Sequence, residues 1–87
     1  MARSQLIEPH QSVGIYIKLR DAWVYSQNTF PVSAFDIFLN NIPYICKRMV
    51  LEEFANMTVT DDFDAALQEE AREYLSWEES LERLFQN

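Results

Sequence analysis

The run from Thr60 to Phe85, TDDFDAALQEEAREYLSWEESLERLF, constrains this chain more than any other stretch. Phe63, Leu67, Ala71, Tyr74, Leu81 and Phe85 recur at spacings of three, four or seven. That is the period of an α-helix, and Ala66, Leu75, Trp77 and Leu84 widen the stripe. No Gly or Pro interrupts it. Thr58 or Thr60 suits the N-cap, where a side-chain oxygen accepts backbone N–H groups of the first turn. Asp61, Asp62 and Asp64 then sit at the positive end of the helix dipole, each contributing about 0.3–1 kcal/mol.

Two residues complicate a single helix. Ser76 and Glu79 have the spacing of a capping box, which starts a helix rather than continuing one. Glu78 falls inside the apolar stripe. Together they favour a break near Ser76 over one helix of about 39 Å at ~1.5 Å per residue. The opposite face is acidic, with Glu69, Glu70, Glu73, Glu79 and Glu82 offset only by Arg72 and Arg83. Glu79 and Arg83 are placed for an i,i+4 pair worth about 0.2–0.5 kcal/mol.

At 87 residues the chain makes a single small domain, residues 1–87, with a modest core. Its six Phe, four Tyr and two Trp supply large side chains for that core or for an interface. One Gly in the whole chain argues against a β-rich fold, which needs glycines at turns and bulges. The net charge of −7 is uneven. Residues 1–50 set Arg3, Lys18, Arg20, Lys47 and Arg48 against Glu8, Asp21 and Asp36, a net of +2. Residues 51–87 set eleven acids against two arginines, a net of −9. Such a half repels nucleic acid and favours basic partners.

Cys46 is the only cysteine, so no intrachain disulfide can form. No secretory signal opens the chain and no apolar run approaches the ~18–20 residues of a membrane span. The expected location is the cytoplasm, away from membranes.

Taken in order, residues 1–11 are polar and aperiodic and are expected to be a flexible arm. In residues 12–27, Val13, Ile15, Ile17 and Leu19 alternate strictly, which reads as a strand, with a turn near Arg20-Asp21 and a second strand from Ala22 to Gln27. Against the hairpin, the turn lacks an Asn-Gly or Asp-Gly signal. A helix is the alternative, and its wheel puts Arg20 in the middle of a face formed by Val13, Tyr16, Ile17, Trp23 and Val24. Ser33 suits the N-cap of a short helix from Ala34 to Asn40. Pro43 suits the first position of a helix running to about Ala55. Its apolar face is Ile42, Ile45, Cys46, Met49, Val50 and Phe54, with Lys47, Arg48, Glu52 and Glu53 facing out.

Chemistry has little to work with. His10 is the only histidine, and an arm residue is a poor general base, because catalytic groups must be held in place. Cys46 on an apolar face reads as core. There is no HExxH and no CxxC, and Asp61, Asp62 and Asp64 with Glu69 and Glu70 lack the glycine and spacing of a calcium loop. A single Gly excludes a phosphate-binding glycine loop. No metal and no cofactor is expected. Lys18, Arg20, Lys47 and Arg48 make too small a basic patch for nucleic acid, where proteins commonly neutralise six or more phosphates.

The expected fold is α+β and helix-dominated: an N-terminal β-hairpin packed on three or four α-helices, with an all-α bundle as the alternative. The expected function is that of a non-enzymatic acidic protein-binding module, an inhibitor of a basic or nucleic-acid-binding protein, in one version by DNA mimicry. Its contacts would come from Asp61, Asp62, Asp64, Glu69, Glu70, Glu73, Glu79 and Glu82, with Trp77 as aromatic anchor. The C-terminal stretch carries about one net charge per 5–6 Å, against one per ~1.7 Å of duplex DNA, so mimicry would need a homodimer or added carboxylates. The alternative is an antitoxin-like regulator, whose weakly basic N-terminal half binds an operator while the acidic C-terminal helix binds a toxin.

Overall fold

A computed structural model of the protein describes residues 9–86, with side chains from 12 to 85. Four helices follow one another: α1 Pro9–Tyr25, α2 Val32–Asn40, α3 Tyr44–Ala55 and α4 Asp62–Gln86. No strand occurs among the described residues. The fold is a helical bundle, the alternative architecture.

The expected N-terminal β-hairpin is therefore wrong. The alternation of Val13, Ile15, Ile17 and Leu19 is two interleaved i,i+4 pairs. Ile15 and Leu19 point inward, 8% and 0% exposed, while Val13 and Ile17 point outward, 53% and 54% exposed. A helix apolar on two sides and a half-buried strand share that local pattern, and only the surroundings separate them. Arg20, the apparent obstacle to a helix, turns to the start of α4 and meets Asp61 and Asp64. α1 ends in a Schellman-type turn. Gln27 and Asn28 take positive φ of 61° and 71°, and the Asn28 N–H donates to the Trp23 carbonyl at 2.9 Å. Pro9 to Gln11 belong to α1 rather than to a loose arm, and residues 1–8 of that arm lie outside the described residues.

α2 starts one residue before the expected cap. Pro31 occupies the N-cap position and Ser33 lies inside the helix. The Pro43 carbonyl accepts the first backbone bonds of α3, from Cys46 and Lys47 at 2.9 and 3.0 Å. From α3, Cys46, Val50, Leu51, Phe54 and Ala55 are buried. Ile45, expected in the core, is 69% exposed.

α4 is one continuous helix, so the expected break near Ser76 is also corrected. Ser76 keeps its carbonyl inside the helix and accepts the Ser80 hydroxyl at 3.2 Å. Glu78 is accommodated in the stripe because α3 supplies a cation there, Lys47 at 3.9 Å. α3 and α4 run antiparallel. Arg72 Nε donates to the Ala55 carbonyl at 3.1 Å, closing the C-terminus of α3 with a side chain from its neighbour. Further along, Arg48 lies 3.6 Å from Glu82. At ~1.5 Å per residue α4 is about twice as long as α3. Its outer end overhangs the bundle, and Leu84 and Phe85 are 69% and 85% exposed.

The core is the meeting point of the four helices. Its largest fully buried side chains are Leu19, Phe35, Leu39, Leu51, Phe63 and Leu67, each stabilising by roughly 1.5–3 kcal/mol. Phe63 is the hub of an aromatic cluster, with Tyr16 at 5.2 Å and Trp23 at 5.6 Å edge-on, and Phe30 at 6.1 Å stacked. Free Cys46 is buried. No helix of the described residues is long and apolar enough to cross a membrane.

Candidate protein-binding face

The acidic residues of α4 separate into three groups once folded. The first holds the helix in place. Asp61, not Thr58 or Thr60, is the N-cap: its carboxylate accepts the Asp64 N–H at 3.0 Å and its carbonyl accepts the Ala65 N–H. Asp64 reaches back to accept the Thr60 N–H at 3.0 Å and the Thr60 hydroxyl at 2.8 Å. Its other oxygen accepts the Tyr16 hydroxyl at 2.6 Å. Arg20 pairs with Asp61 and lies 3.7 Å from Asp64. Asp64 is only 2% exposed, so it has no surface to offer a partner.

The chemistry of this network follows from its contacts. Burial pushes the Asp64 carboxyl up, but hydrogen bonds from Tyr16 and Thr60 outweigh it and hold the group below its usual range. The Arg20 hydrogen bond, with help from the Asp64 N–H, lowers Asp61. The Tyr16 phenol is raised, by burial first and then by donating to Asp64.

The second group braces α4 on α3: Glu78 on Lys47, and Glu82 on Arg48. The third group is unpaired. Asp62, Glu69, Glu70, Glu73 and Glu79 take part in no ion pair among the described residues, and the expected Glu79–Arg83 pair does not form. Glu69, Glu73 and Trp77 follow at i, i+4 and i+8 and stand on one outward stripe, all exposed. Trp77 is 63% exposed without any helix break to present it. An open groove of about 750 Å³ runs along this stripe, walled by Glu69, Arg72, Glu73, Ser76, Trp77 and Ser80. On the other side of Trp77 a second hollow of about 340 Å³ is lined by Glu70, Glu73, Tyr74 and Trp77.

One contributor was invisible in the sequence. Asp36 of α2 accepts the Tyr74 hydroxyl and adds its charge to the same patch. Burial raises the Glu70 carboxyl, and repulsion from Glu73, Glu69 and Asp36 raises it further. Nothing near Asp36 in the chain signals this, because the contact joins residues 38 apart.

Tyr74 reads out that patch. Burial, the bond to Asp36 and the nearby carboxylates push its phenol from 10.0 to about 12. A folded pKa above the unfolded one favours the folded state below pH ~10, and that contribution is lost as pH rises to about 12. Absorbance titration of tyrosinate is expected to show a step near 12 that Tyr74→Phe removes. A Tyr74→Phe variant with an unchanged alkaline titration would contradict the assignment.

Among the described residues no group of three or more His, Cys, Asp or Glu could hold a metal ion. In comparisons with known proteins, no family model, no curated protein and no solved structure matches the chain.

Proposed function

We propose that this protein is a non-enzymatic binding module that recognises a basic protein surface through the outer stripe of α4, acting as its inhibitor. The observation that carries the reading is the patch of Glu69, Glu70 and Glu73 beside an exposed Trp77, with no cation among the described residues pairing these carboxylates. Burial raises the Glu70 carboxyl first, and the mutual repulsion of these carboxylates raises it further. A partner's Lys or Arg side chains would relieve that repulsion, and an exposed Trp is the residue type that most often anchors an interface.

The unpaired acids favour protein recognition over imitation of a duplex. Asp62, Glu69, Glu70, Glu73 and Glu79 spread over roughly 26 Å of helix at ~1.5 Å per residue, about one charge per 5 Å against ~1.7 Å in DNA. The antitoxin-like alternative asks for free cations in the N-terminal half. Among the described residues of that half, Arg20, Lys47 and Arg48 are all engaged by acids of the same chain, which leaves Lys18 alone outside an ion pair. The inhibitor reading has the better support.

The test is capture of partners from host lysate at about 50 mM and about 300 mM salt, followed by titration of the captured protein. A basic protein held at low salt and shed at high salt is expected. Glu69→Lys, Glu70→Lys and Glu73→Lys together are expected to weaken it at least ~100-fold, because like charges facing each other cost several kcal/mol. Undiminished binding by the triple variant would reduce the acidic stripe to a solvated surface.

A further inference from the structure

The only glycine of the chain lies in the middle of a helix. Gly14 sits in the second turn of α1, where glycine costs stability relative to alanine through its backbone freedom. Packing inside the molecule does not require it, since a Cβ added there would meet nothing within 4 Å. Its φ is not positive, so the backbone does not require it either. Gly14 is a notch on the outward side of α1, and its neighbours on that side are apolar. Val13 and Ile17 are 53% and 54% exposed, Val24 is 67% and Tyr25 is 92%.

Gly14, Ile17, Asp21 and Val24 follow at spacings of three, four and three, the seam along which two helices pack. The bundle uses the opposite side of α1, so the described residues leave this seam uncovered.

We infer that the outward side of α1 is a self-association surface, and that its occupant is α1 of a second copy lying antiparallel across it. Charge selects the second copy. A self-contact through α4 would bring the unpaired Glu69, Glu70 and Glu73 of two molecules together. The outward side of α1 instead carries one acid, Asp21, with Lys18 at its edge, its ammonium 5.6 Å from the Phe38 ring, and neither is in an ion pair among the described residues. Under a two-fold axis near the middle of α1, Lys18 of each copy comes beside Asp21 of the other, and Gly14 receives Val24. Such a two-fold contact meets each member of the pair with the other, so a surface that contains both is complementary to itself. A seam confined to one helix buries less than the ~1,200 Å² of a standard interface, so the dimer belongs to the weak, concentration-dependent class. It leaves the acidic stripe of α4 open, and the proposal stands or falls independently of the partner proposed for that stripe.

Sedimentation equilibrium of the full chain from about 10 µM to about 1 mM tests it. The average mass of the wild type is expected to rise from monomer towards dimer across that range. Ile17 is exposed and a Cβ at Gly14 meets open space, so Ile17→Asp and Gly14→Leu are both expected to keep the wild-type helical circular dichroism. Each is expected to weaken association at least tenfold, the first by placing a charge in the seam and the second by filling the notch. Glu73→Lys is expected to leave it unchanged. A wild type that stays monomeric at about 1 mM overturns the proposal, as does a dimer that survives both α1 substitutions or one that Glu73→Lys disrupts.

Discussion

Phe63→Ala is expected to lower the melting temperature by about 15–30 °C, from a loss of about 3–5 kcal/mol spread over a small domain's unfolding entropy. Phe63 is 1% exposed and is the ring around which Tyr16, Trp23 and Phe30 are arranged. The Arg20 guanidinium also lies 5.4 Å from its centroid. Those neighbours come from α1 and from the α1–α2 connection, so the cavity cannot be closed by shifting one side chain. A chain of this size has only about 4–13 kcal/mol of stability in total, and the substitution removes a large share of it. Phe85→Ala deletes the same atoms from a residue that is 85% exposed, and is expected to move the midpoint by no more than about 4 °C. Thermal melts followed by circular dichroism compare the two. Similar shifts in both would mean that Phe63 is not the hub of the core.

Asp64→Ala is the second large effect, with an expected cost of about 2–4 kcal/mol. The carboxylate is almost fully buried and accepts the Thr60 N–H, the Thr60 hydroxyl and the Tyr16 hydroxyl. Removing it takes the protein acceptor from three donors at the junction of α1 and α4, and leaves Arg20 with Asp61 as its one ion-pair partner among the described residues. Asp62→Ala, two residues earlier and exposed, is expected to cost at most about 1 kcal/mol through the helix dipole.

The pH dependence has a definite sign. Asp64 and Asp61 are both held below their usual range in the folded state. Their contribution is complete above the unfolded carboxylate range of about 4 and is lost as pH falls through their lower folded values. Denaturant unfolding of the wild type between about pH 5 and about pH 2 is expected to show falling stability, and Asp64→Ala a shallower fall. Parallel slopes in the two proteins would exclude Asp64 as a source of the acid sensitivity.

The same network shows why residues 12–27 were misread from the chain alone. Arg20 lies in the middle of the helical face that joins Val13, Tyr16, Ile17, Trp23 and Val24, and a sequence cannot say where its partner stands. The partners are Asp61 and Asp64, more than forty positions on. Glu78 is the same case on α4: a charge in an apolar stripe reads as a break until Lys47 of α3 is seen beside it. Ser76 with Glu79 satisfied the spacing of a cap and formed none, because the helix around it was already continuous.

Within the acidic half, the number of carboxylates was legible and their division was not. Asp64 is structural, Asp61 caps the helix, and Glu78 and Glu82 brace it against α3. The unpaired remainder, Asp62, Glu69, Glu70, Glu73 and Glu79, emerges only after those assignments are made. Asp36 joins it across two helices.

What the sequence determined by itself is the set of helices with a regular period and local boundaries. α2, α3 and α4 were all legible, since their apolar spacing, their prolines and the acidic start of α4 act within a few residues. It also determined where the charge lies, because charge is counted and not folded. Tertiary structure alone decided the conformation of residues 12–27, the continuity of α4 and the sorting of its acids. The first two each turned on one ionised side chain inside an apolar stripe, Arg20 and Glu78. Such a side chain is tolerated when an opposite charge from another helix meets it, and that encounter depends on packing between residues far apart in the chain.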